Sequence, residues 1–374
     1  MAWCAWLYNV HRWIGLTAGV LLLFQGCTGL AIVFRGDLNR ALHAEALHVA
    51  PGPRTQVLQS LLDLVRREHP SLEIRSVEMP RAADHAYSLR LESRQGNDVR
   101  FVAVDPYRGA ITRDAPLIGW PVLFALELHK TLFLGSFGKT VLGIEASCLL
   151  ALAIIGPILW WPGRRNLKRA LKVKLDGGFA RGIRELHRVG GVVVAVLLIT
   201  TASTAGIIAF RSGLESFVSR FAPVAPQPWP AVAPAAGRAL LPIDDIVAAV
   251  RTHYGDAPIY SLRFPDADAS RVVAFLRPPT TRRPRATDQA WFDGYTAQLT
   301  ARRDAADLPH ATNFFEWAIP VHTGQAFGVG GRIAILVGGL ALTLLVASGF
   351  LQWSIRRRMR DRSVQDSRSV GLRR

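Results

Sequence analysis

The chain has 374 residues, 50% of them hydrophobic, and its 45 Lys and Arg outnumber its 28 Asp and Glu to give a formal net charge of +17. The hydrophobic residues gather into four runs of about 20 residues, each long enough to cross a bilayer core of roughly 30 Å. This distribution excludes an ordinary soluble enzyme. The first run, residues 13–34, has no basic segment ahead of it and no small-residue cleavage motif after it, which favours a membrane span over a cleaved signal peptide.

The other runs cover residues 140–161, 189–210 and 333–353, and long polar stretches separate spans one and two and spans three and four. The predicted domains, in chain order, are transmembrane helix 1 in residues 1–34, an external module in 35–128, a histidine-containing segment with helix 2 in 129–161, a basic loop in 162–186, helix 3 in 187–210, a second external module in 211–321, a second histidine-containing segment with helix 4 in 322–353, and a basic tail in 354–374.

The basic surplus lies in the short segments. Residues 162–186 hold eight basic and two acidic residues, as do residues 354–374, whereas residues 35–114 and 211–316 each hold 12 basic and 11 acidic residues. By the positive-inside rule, both termini face the cytoplasm and both polar domains face the outer side of the membrane. The charge thus indicates orientation in the lipid bilayer, and no domain has the basic face that nucleic-acid binding requires.

The two halves of the chain repeat each other. An offset of 176 residues aligns 11 identical residues in the 28 positions from residue 11, among them His11 with His187 and Thr28 with Thr204. An offset of 193 aligns His129 with His322, Gly138 with Gly331, and Gly156 with Gly349. Because both halves leave the cytoplasm and return to it, the repeat is parallel.

Each polar domain is predicted to be a small α+β module. Alternating strands joined by a turn are expected in residues 99–112 and 289–300. An amphipathic helix precedes each pair of strands, in residues 55–69 and in residues 243–254. The external modules contain none of the three cysteines, Cys4, Cys27 and Cys148, so no disulfide framework is expected there, and no Cys-x-x-Cys-His motif for c-type haem is present.

The segment order and several motifs resemble the PepSY-associated transmembrane family. These motifs are HRWIG and HRVGG at spans one and three, VAVDPYRG in the first module, and LHKTLFLG with WWPGRR around span two. The resemblance implies an α-helical membrane protein, a four-helix bundle with two periplasmic α+β PepSY-like modules built as an internal parallel repeat. The family includes inner-membrane proteins linked to iron uptake, so the resemblance also implies ferric-siderophore reduction.

Four of the ten histidines occupy repeat-equivalent positions. The predicted topology places His11 and His187 near the inner face of the membrane, and His129 and His322 near the outer face. Each pair comes from two helices of a bundle, which is where bundles hold cofactors, and imidazoles from two sides suit axial ligation of a b-type haem iron. Zinc or copper would need three or four clustered ligands, which neither face shows.

The outer pair requires a break in the chain. The 35 residues from His129 to Arg164 would make about 52 Å of helix at 1.5 Å per residue, too long for one crossing. Gly135 and Gly138 offer the break, which would place the outer haem at or just above the membrane surface.

Several charged residues accompany the histidines. Arg35 with Arg211, and Lys139 with Arg332, are repeat-equivalent and could hold haem propionates, or could simply extend to the interface. Glu145 lies inside span two, where a carboxylate is a functional candidate for proton relay or for tuning the outer haem, or could pair with Lys139 or Arg332.

The sequence therefore predicts a di-haem oxidoreductase that carries electrons across the membrane. The family resemblance implies that the electron acceptor is a periplasmic ferric siderophore. No nucleotide-binding motif is present, so the electron donor is expected to be another protein, free reduced flavin or quinol. The alternatives are a haem-free scaffold or regulator that binds a periplasmic partner, and a permease for the iron complex. A permease would show broken helices and mid-membrane polar residues, of which these spans carry few.

Overall fold

The computed structural model describes residues 2–96, 98–174, 177–230, 232, 239–266, 270–277, 283–284 and 286–371, with only the backbone over the last ten. The predicted basic loop 162–186 and tail 354–374 therefore lie only partly within the described residues. The chain divides into two compact units. A helical unit comprises residues 1–33, 125–217 and 315–374, and a sheet unit comprises residues 34–124 and 218–314.

The helices of the described residues, in chain order, are α1 (Ala2–Thr17), α2 (Gly19–Ile32), α3 (Arg35–Leu42), α4 (Ala44–Leu47), α5 (Leu58–Glu68), α6 (Pro121–Thr131), α7 (Gly135–Trp160), α8 (Leu167–Ala170), α9 (Phe179–Ala209), α10 (Arg211–Val218), α11 (Ile243–Tyr254), α12 (His310–His322) and α13 (Gly328–Gly371). The strands are β1 (Glu73–Glu78), β2 (Tyr87–Glu92), β3 (Val99–Asp105), β4 (Ala110–Pro116), β5 (Ile259–Arg263), β6 (Arg271–Leu276), β7 (Asp288–Asp293) and β8 (Leu299–Arg303).

Three helices of the helical unit, α7, α9 and α13, are long and apolar enough to cross a membrane, and α1 with α2 makes a fourth span if the pair counts as one. The sequence predicts this first span as a single run, whereas the structure bends it by 61° between α1 and α2. The Thr17 hydroxyl donates a hydrogen bond to the Trp13 carbonyl oxygen at 2.8 Å just before the bend. A threonine bonded back to its own helix in this way often bends the helix.

The four spans pack in a ring. The helix α7 lies along α9, α9 along α13, and α13 along α2, while α1 contacts α7 and closes the ring. Leu22, Leu149 and Ala202 form the buried centre. Large apolar side chains such as Val193 and Val196, 68% and 77% exposed, lie on the outside of the bundle. An apolar exterior of this kind is typical of a surface that contacts lipid.

Small residues allow two spans to approach closely. A Cβ added at Gly26 of α2 would lie 2.7 Å from the Thr343 hydroxyl of α13, and one at Gly339 would lie 3.1 Å from Leu30. A larger residue at either position would require the neighbouring side chain to move. Glycine therefore sets the close packing of α2 against α13, as small residues do at helix interfaces in membranes.

The predicted break between His129 and span two is confirmed. The helix α6 ends at Thr131, and Leu132, Phe133 and Gly135 adopt positive φ angles of 52°, 59° and 55° before α7 continues. A Cβ at Gly138 would collide with the Thr131 carbonyl oxygen, so glycine is required where the chain doubles back. The positive φ angles end α6 and allow α7 to run in a different direction.

The helix α12 ends before span four in the same manner. Gly324 and Gly328 have φ angles of 73° and 62°, and a Cβ at Gly331 would collide with the Gly324 carbonyl oxygen. Each histidine-bearing helix is thus a separate short element that precedes a span.

The sheet unit contains one continuous antiparallel sheet of eight strands, in the order β4-β3-β2-β1-β5-β6-β7-β8. The predicted amphipathic helices are α5 and α11, and their apolar faces pack on this sheet around a buried core that includes Leu62, Val65 and Ile246. The two predicted modules correspond to strands β1–β4 and β5–β8. Their union into one sheet is not evident from the sequence.

The two halves of the sheet unit are joined at β1 and β5. Val77 of β1 pairs with Leu262 of β5, and both are fully buried. The helices above the joint cap each other, because the Asp244 carboxylate accepts backbone N–H bonds from Leu58 and Gln59 at 3.1 and 2.8 Å. The Gln59 side-chain oxygen in turn accepts the Ile243 N–H at 2.9 Å. Backbone donors at both helix starts are therefore satisfied across the joint.

Because the sheet is continuous, damage at the joint should weaken both halves. Leu262→Ala is expected to lower the free energy of unfolding of the sheet unit by about 2–5 kcal/mol, the range for a buried leucine. Hydrogen exchange in increasing urea should show loss of protection in β1 and β2 as well as in β5 and β6. Leu240→Ala is the matched control because this leucine is 39% exposed. Loss of protection confined to β5–β8 would contradict a single cooperative sheet.

Candidate functional site

The structure brings the four repeat-equivalent histidines together in the pairs that the sequence predicts. His11 on α1 and His187 on α9 have ring centroids 6.4 Å apart with perpendicular planes. His129 on α6 and His322 on α12 have ring centroids 6.4 Å apart with planes at 48°. Two metal–nitrogen bonds of about 2.0 Å plus the two ring radii give a separation of roughly 6 Å. The spacing of each pair therefore suits one metal atom held between two imidazoles.

The outer pair is held by threonines of two spans. His129 Nδ1 lies 3.0 Å from the Thr28 hydroxyl oxygen, and His322 Nδ1 lies 3.1 Å from the Thr204 hydroxyl oxygen. Each hydroxyl oxygen also lies 2.8 Å from a backbone carbonyl oxygen of its own helix, to which the hydroxyl can donate while it accepts from the imidazole. His322 Nδ1 also donates to the Thr201 carbonyl oxygen at 3.1 Å.

The inner pair is held asymmetrically. His187 Nδ1 donates to the Leu345 carbonyl oxygen at 3.0 Å and lies 2.8 Å from the Ser348 hydroxyl oxygen, both on α13. The Nδ1 atom of His11 is buried and has no hydrogen-bond partner among the described residues. The position that matches Ser348 in the first half is Ile155, which cannot form such a bond.

The carbonyl contacts of His187 and His322 fix the tautomer of these two imidazoles, because a carbonyl oxygen can only accept. A proton on Nδ1 leaves the Nε2 atom with a free lone pair, because a neutral imidazole carries one N–H. Metal-ligating histidines are typically oriented by a hydrogen bond from their other ring nitrogen to a carbonyl or hydroxyl. An imidazole held in this way could serve as a metal ligand through Nε2.

Glycines lie against the imidazole edges. A Cβ added at Gly156 would lie 3.6 Å from His11 Cε1, and one at Gly349 would lie 3.6 Å from His187 Cε1. A Cβ at Gly29 would lie 3.3 Å from His129 Cε1. The helix surface beside these rings is thus bare backbone, which is the space that a flat macrocycle on the same iron would need.

Each pair supplies only two ligands. Over the part of the chain that the structure describes, a single cluster joins three or more His, Cys, Asp or Glu donors, and it lies in the sheet unit at His48, Asp84 and His85. A structural zinc site needs four donors and a catalytic one needs three. The geometry of the pairs therefore favours axial ligation over a zinc or copper centre.

The two pairs lie toward opposite ends of the bundle. The helix α9 carries His187 itself and also Thr201 and Thr204, which hold His322. These positions are 14 to 17 residues apart, or about 21 to 26 Å along the helix at about 1.5 Å per residue. A span of this length covers most of a hydrocarbon core.

The predicted propionate partners differ in their surroundings. Arg332 donates to the Val33 carbonyl oxygen at 3.1 Å, and Lys139 is exposed at the start of α7. Arg35 lies in the sheet unit, at the start of α3. Arg332 and Lys139 thus share the helical unit with both histidine pairs.

Arg211 binds two carboxylates. Its guanidinium pairs with Glu316 at 2.7 Å and with Glu215 at 2.8 Å. Burial lowers the pKa of Arg211, but the hydrogen bonds and charges of Glu316 and Glu215 outweigh burial, so the net pKa is raised. Arg211 therefore stays charged and is occupied by protein carboxylates.

Glu145 is a buried carboxylic acid within span two. Its side chain is 5% exposed, and Oε1 has no hydrogen-bond partner among the described residues. Among the described residues, Glu145 forms no ion pair with Lys139 or Arg332. Its neighbour Gly143 lies against the Phe210 ring, which locates Glu145 near the end of α9 that is distant from His187.

The threonines and the serine that hold the imidazoles are not identified as site residues by the sequence reasoning. Thr28 and Thr204 are among the aligned identities of the repeat, and this signal could have revealed them. Ser348 leaves no such signal because it is matched by Ile155. The cluster of His48, Asp84 and His85 also escapes sequence reasoning, because it depends on a contact between distant segments.

The chain matches the model of one protein family over residues 8–356, and that family is described as the PepSY-associated TM region. No curated protein matches the chain significantly. The match includes all four spans, both histidine pairs and the whole sheet unit. With its apolar helices, the chain is a membrane protein that belongs to the PepSY-associated transmembrane family.

Proposed function

We propose that this protein is a di-haem b-type oxidoreductase of the bacterial inner membrane that passes electrons across the membrane to reduce a periplasmic ferric siderophore. One observation carries the proposal. Two histidine pairs, each spaced for one metal atom, lie about 21 to 26 Å apart along the bundle, and His187 and His322 are held in the tautomer that leaves Nε2 free.

The bis-histidine sites account for the cofactor. Haem bound to them would supply reversible one-electron transfer at each end of the membrane core. The chain's own part is to hold each imidazole through its Nδ1 hydrogen bond, and to leave glycine backbone beside the rings. Lys139 and Arg332, at the starts of α7 and α13, are proposed to bind propionates, while Arg211 would first have to release Glu316 or Glu215.

The orientation follows from the charge. The basic loop and tail support an orientation with both termini in the cytoplasm, in which the pair His11–His187 would face the electron donor and the pair His129–His322 would face the periplasm. The donor is proposed to be a cytoplasmic protein, free reduced flavin or quinol. The two PepSY-like halves of the sheet unit would then bind the ferric siderophore outside the membrane.

The proposed reaction is a one-electron reduction. Each Fe(III) in the siderophore accepts one electron from the donor by way of the two sites and becomes Fe(II). Siderophores hold Fe(II) weakly, so the ion is released. No bond of the siderophore breaks, which agrees with the absence of a hydrolytic motif in the sequence.

The first test is the visible spectrum of the purified full-length protein. We expect a sharp b-type α band on reduction and about two haems per chain. His129→Ala or His322→Ala should remove one haem, because one imidazole cannot replace two axial ligands, and His11→Ala or His187→Ala should remove the other.

His253→Ala is the matched control, because this exposed histidine lies on α11 of the sheet unit. It should leave both haems in place. A colourless protein from haem-sufficient cells would instead support a haem-free scaffold that binds a periplasmic partner. Loss of both haems, or of neither, in the single variants would refute the pairing.

The second test is electron delivery to the substrate. Protein reduced with dithionite should reoxidise when mixed with a ferric hydroxamate siderophore, and an Fe(II) chelator should collect one Fe(II) per electron. Rates from stopped-flow spectroscopy should fall at least tenfold in His322→Ala, because the outer pair is the exit. Equal rates in this variant and the wild type would exclude the outer pair from the path.

Glu145 is proposed to take up a proton when the outer haem is reduced. The added electron makes a buried negative carboxylate less stable, so protonation of Glu145 becomes more favourable. The midpoint potential of the outer haem should then fall as pH rises, by up to about 59 mV per pH unit for one electron. Glu145→Gln should flatten this slope in a redox titration. The exposed Glu68→Gln should not, and an unchanged slope in Glu145→Gln would rule out this role.

A further inference from the structure

A second set of metal-ligand side chains lies in the sheet unit, far along the chain from the four paired histidines. His48 follows α4, and Asp84 and His85 lie in the loop between β1 and β2. An isolated antiparallel bridge pairs His48 with His85. The Val49 N–H donates to the Asp84 carbonyl oxygen at 2.9 Å, which fixes the backbone beside the bridge. Backbone pairing thus brings the three side chains together before any ion binds.

The side-chain distances are close to those of a coordination site. The imidazole centroids of His48 and His85 lie 5.5 Å apart. The Asp84 carboxylate lies 3.4 Å from His48 Nδ1 and 3.8 Å from His85 Nε2. One ligand atom from each residue lies within 4.8 Å of the others. Donors bound at about 2.1 Å lie at most about 4.2 Å apart, so shifts of a fraction of an ångström complete the site.

The donor set identifies the class of ion. Two imidazoles with one carboxylate suit first-row transition metals and leave open coordination positions, whereas Ca²⁺ and Mg²⁺ prefer oxygen ligands. The side chains of His48 and Asp84 are 45% and 52% exposed, so water can occupy the open positions and the ion can exchange.

A nearby pair shows the contrast. His69 lies 2.8 Å from Asp114, but Arg100 also binds that carboxylate at 2.7 Å, and no second imidazole is present in the described surroundings. Among the residues that the structure describes, no arginine or lysine forms an ion pair with Asp84. The charge on the Asp84 carboxylate is therefore available to a cation.

We propose that His48, Asp84 and His85 form a binding site for one divalent first-row transition metal ion. This site does not depend on the proposed haems, because none of its residues belongs to the helical unit. It adds a metal-binding role to the sheet unit, separate from electron transfer.

The test is isothermal titration of the tag-free, full-length protein with Zn²⁺ in detergent at neutral pH. Wild-type protein should bind one equivalent saturably at this site. His48→Ala and His85→Ala should each weaken that binding at least tenfold, because two ligands remain. Asp84→Asn keeps the shape of the loop, removes the charge, and should also weaken binding. His69→Ala is the matched control and should bind as the wild type does.

Haem content measured on the same samples separates this proposal from the proposed function, since all four variants should keep the wild-type haem spectrum. The site is overturned if wild-type protein shows no saturable Zn²⁺ binding. It is also overturned if the three site variants bind Zn²⁺ as tightly as wild type, or if His69→Ala weakens binding as much as His85→Ala does.

Discussion

The hydrogen bond at imidazole Nδ1 is the interaction on which the candidate site depends. A neutral histidine within an apolar bundle can rotate and can exchange tautomers. Bonds to Thr28, to Thr201 with Thr204, and to Leu345 with Ser348 restrict rotation, and the carbonyl acceptors among them also fix the tautomer. They also set helix positions, because each bond crosses from one helix to another. The same contacts that orient the ligands therefore hold the short helices α6 and α12 against the spans.

The internal repeat predicted from the sequence has a direct consequence for the candidate site. Each half of the chain supplies one imidazole to each pair, so neither half alone could place two ligands on one metal atom. The two halves differ at the inner pair. His187 is held by Ser348 and Leu345, whereas Ile155 stands where a hydroxyl would hold His11. The two imidazoles of that pair therefore differ in how firmly they are oriented.

Sequence reasoning was reliable where the pattern is local or repeated. Equivalent positions identified the histidine pairs, helix length required a break after His129, and periodicity located α11. It failed where geometry depends on distant partners. The bend after Thr17, the binding of Arg211 to Glu316 105 residues later, and the edge pairing of β1 with β5 all arise from tertiary contacts. No local sequence pattern predicts which two edge strands of distant segments pair with each other.

The joint between β1 and β5 also affects how the protein folds while it is being synthesised. Until β5 has been synthesised, β1 is an edge strand with unpaired backbone groups. Val77, which is buried in the complete sheet, is then exposed to solvent. Such an edge can pair with strands of other chains. The partner strand lies roughly 180 residues later, a delay of about 10 to 40 s at a synthesis rate of 5–20 residues per second. The first half of the sheet must stay protected from aggregation for that interval, so folding of the sheet unit is tied to completion of the second half of the chain.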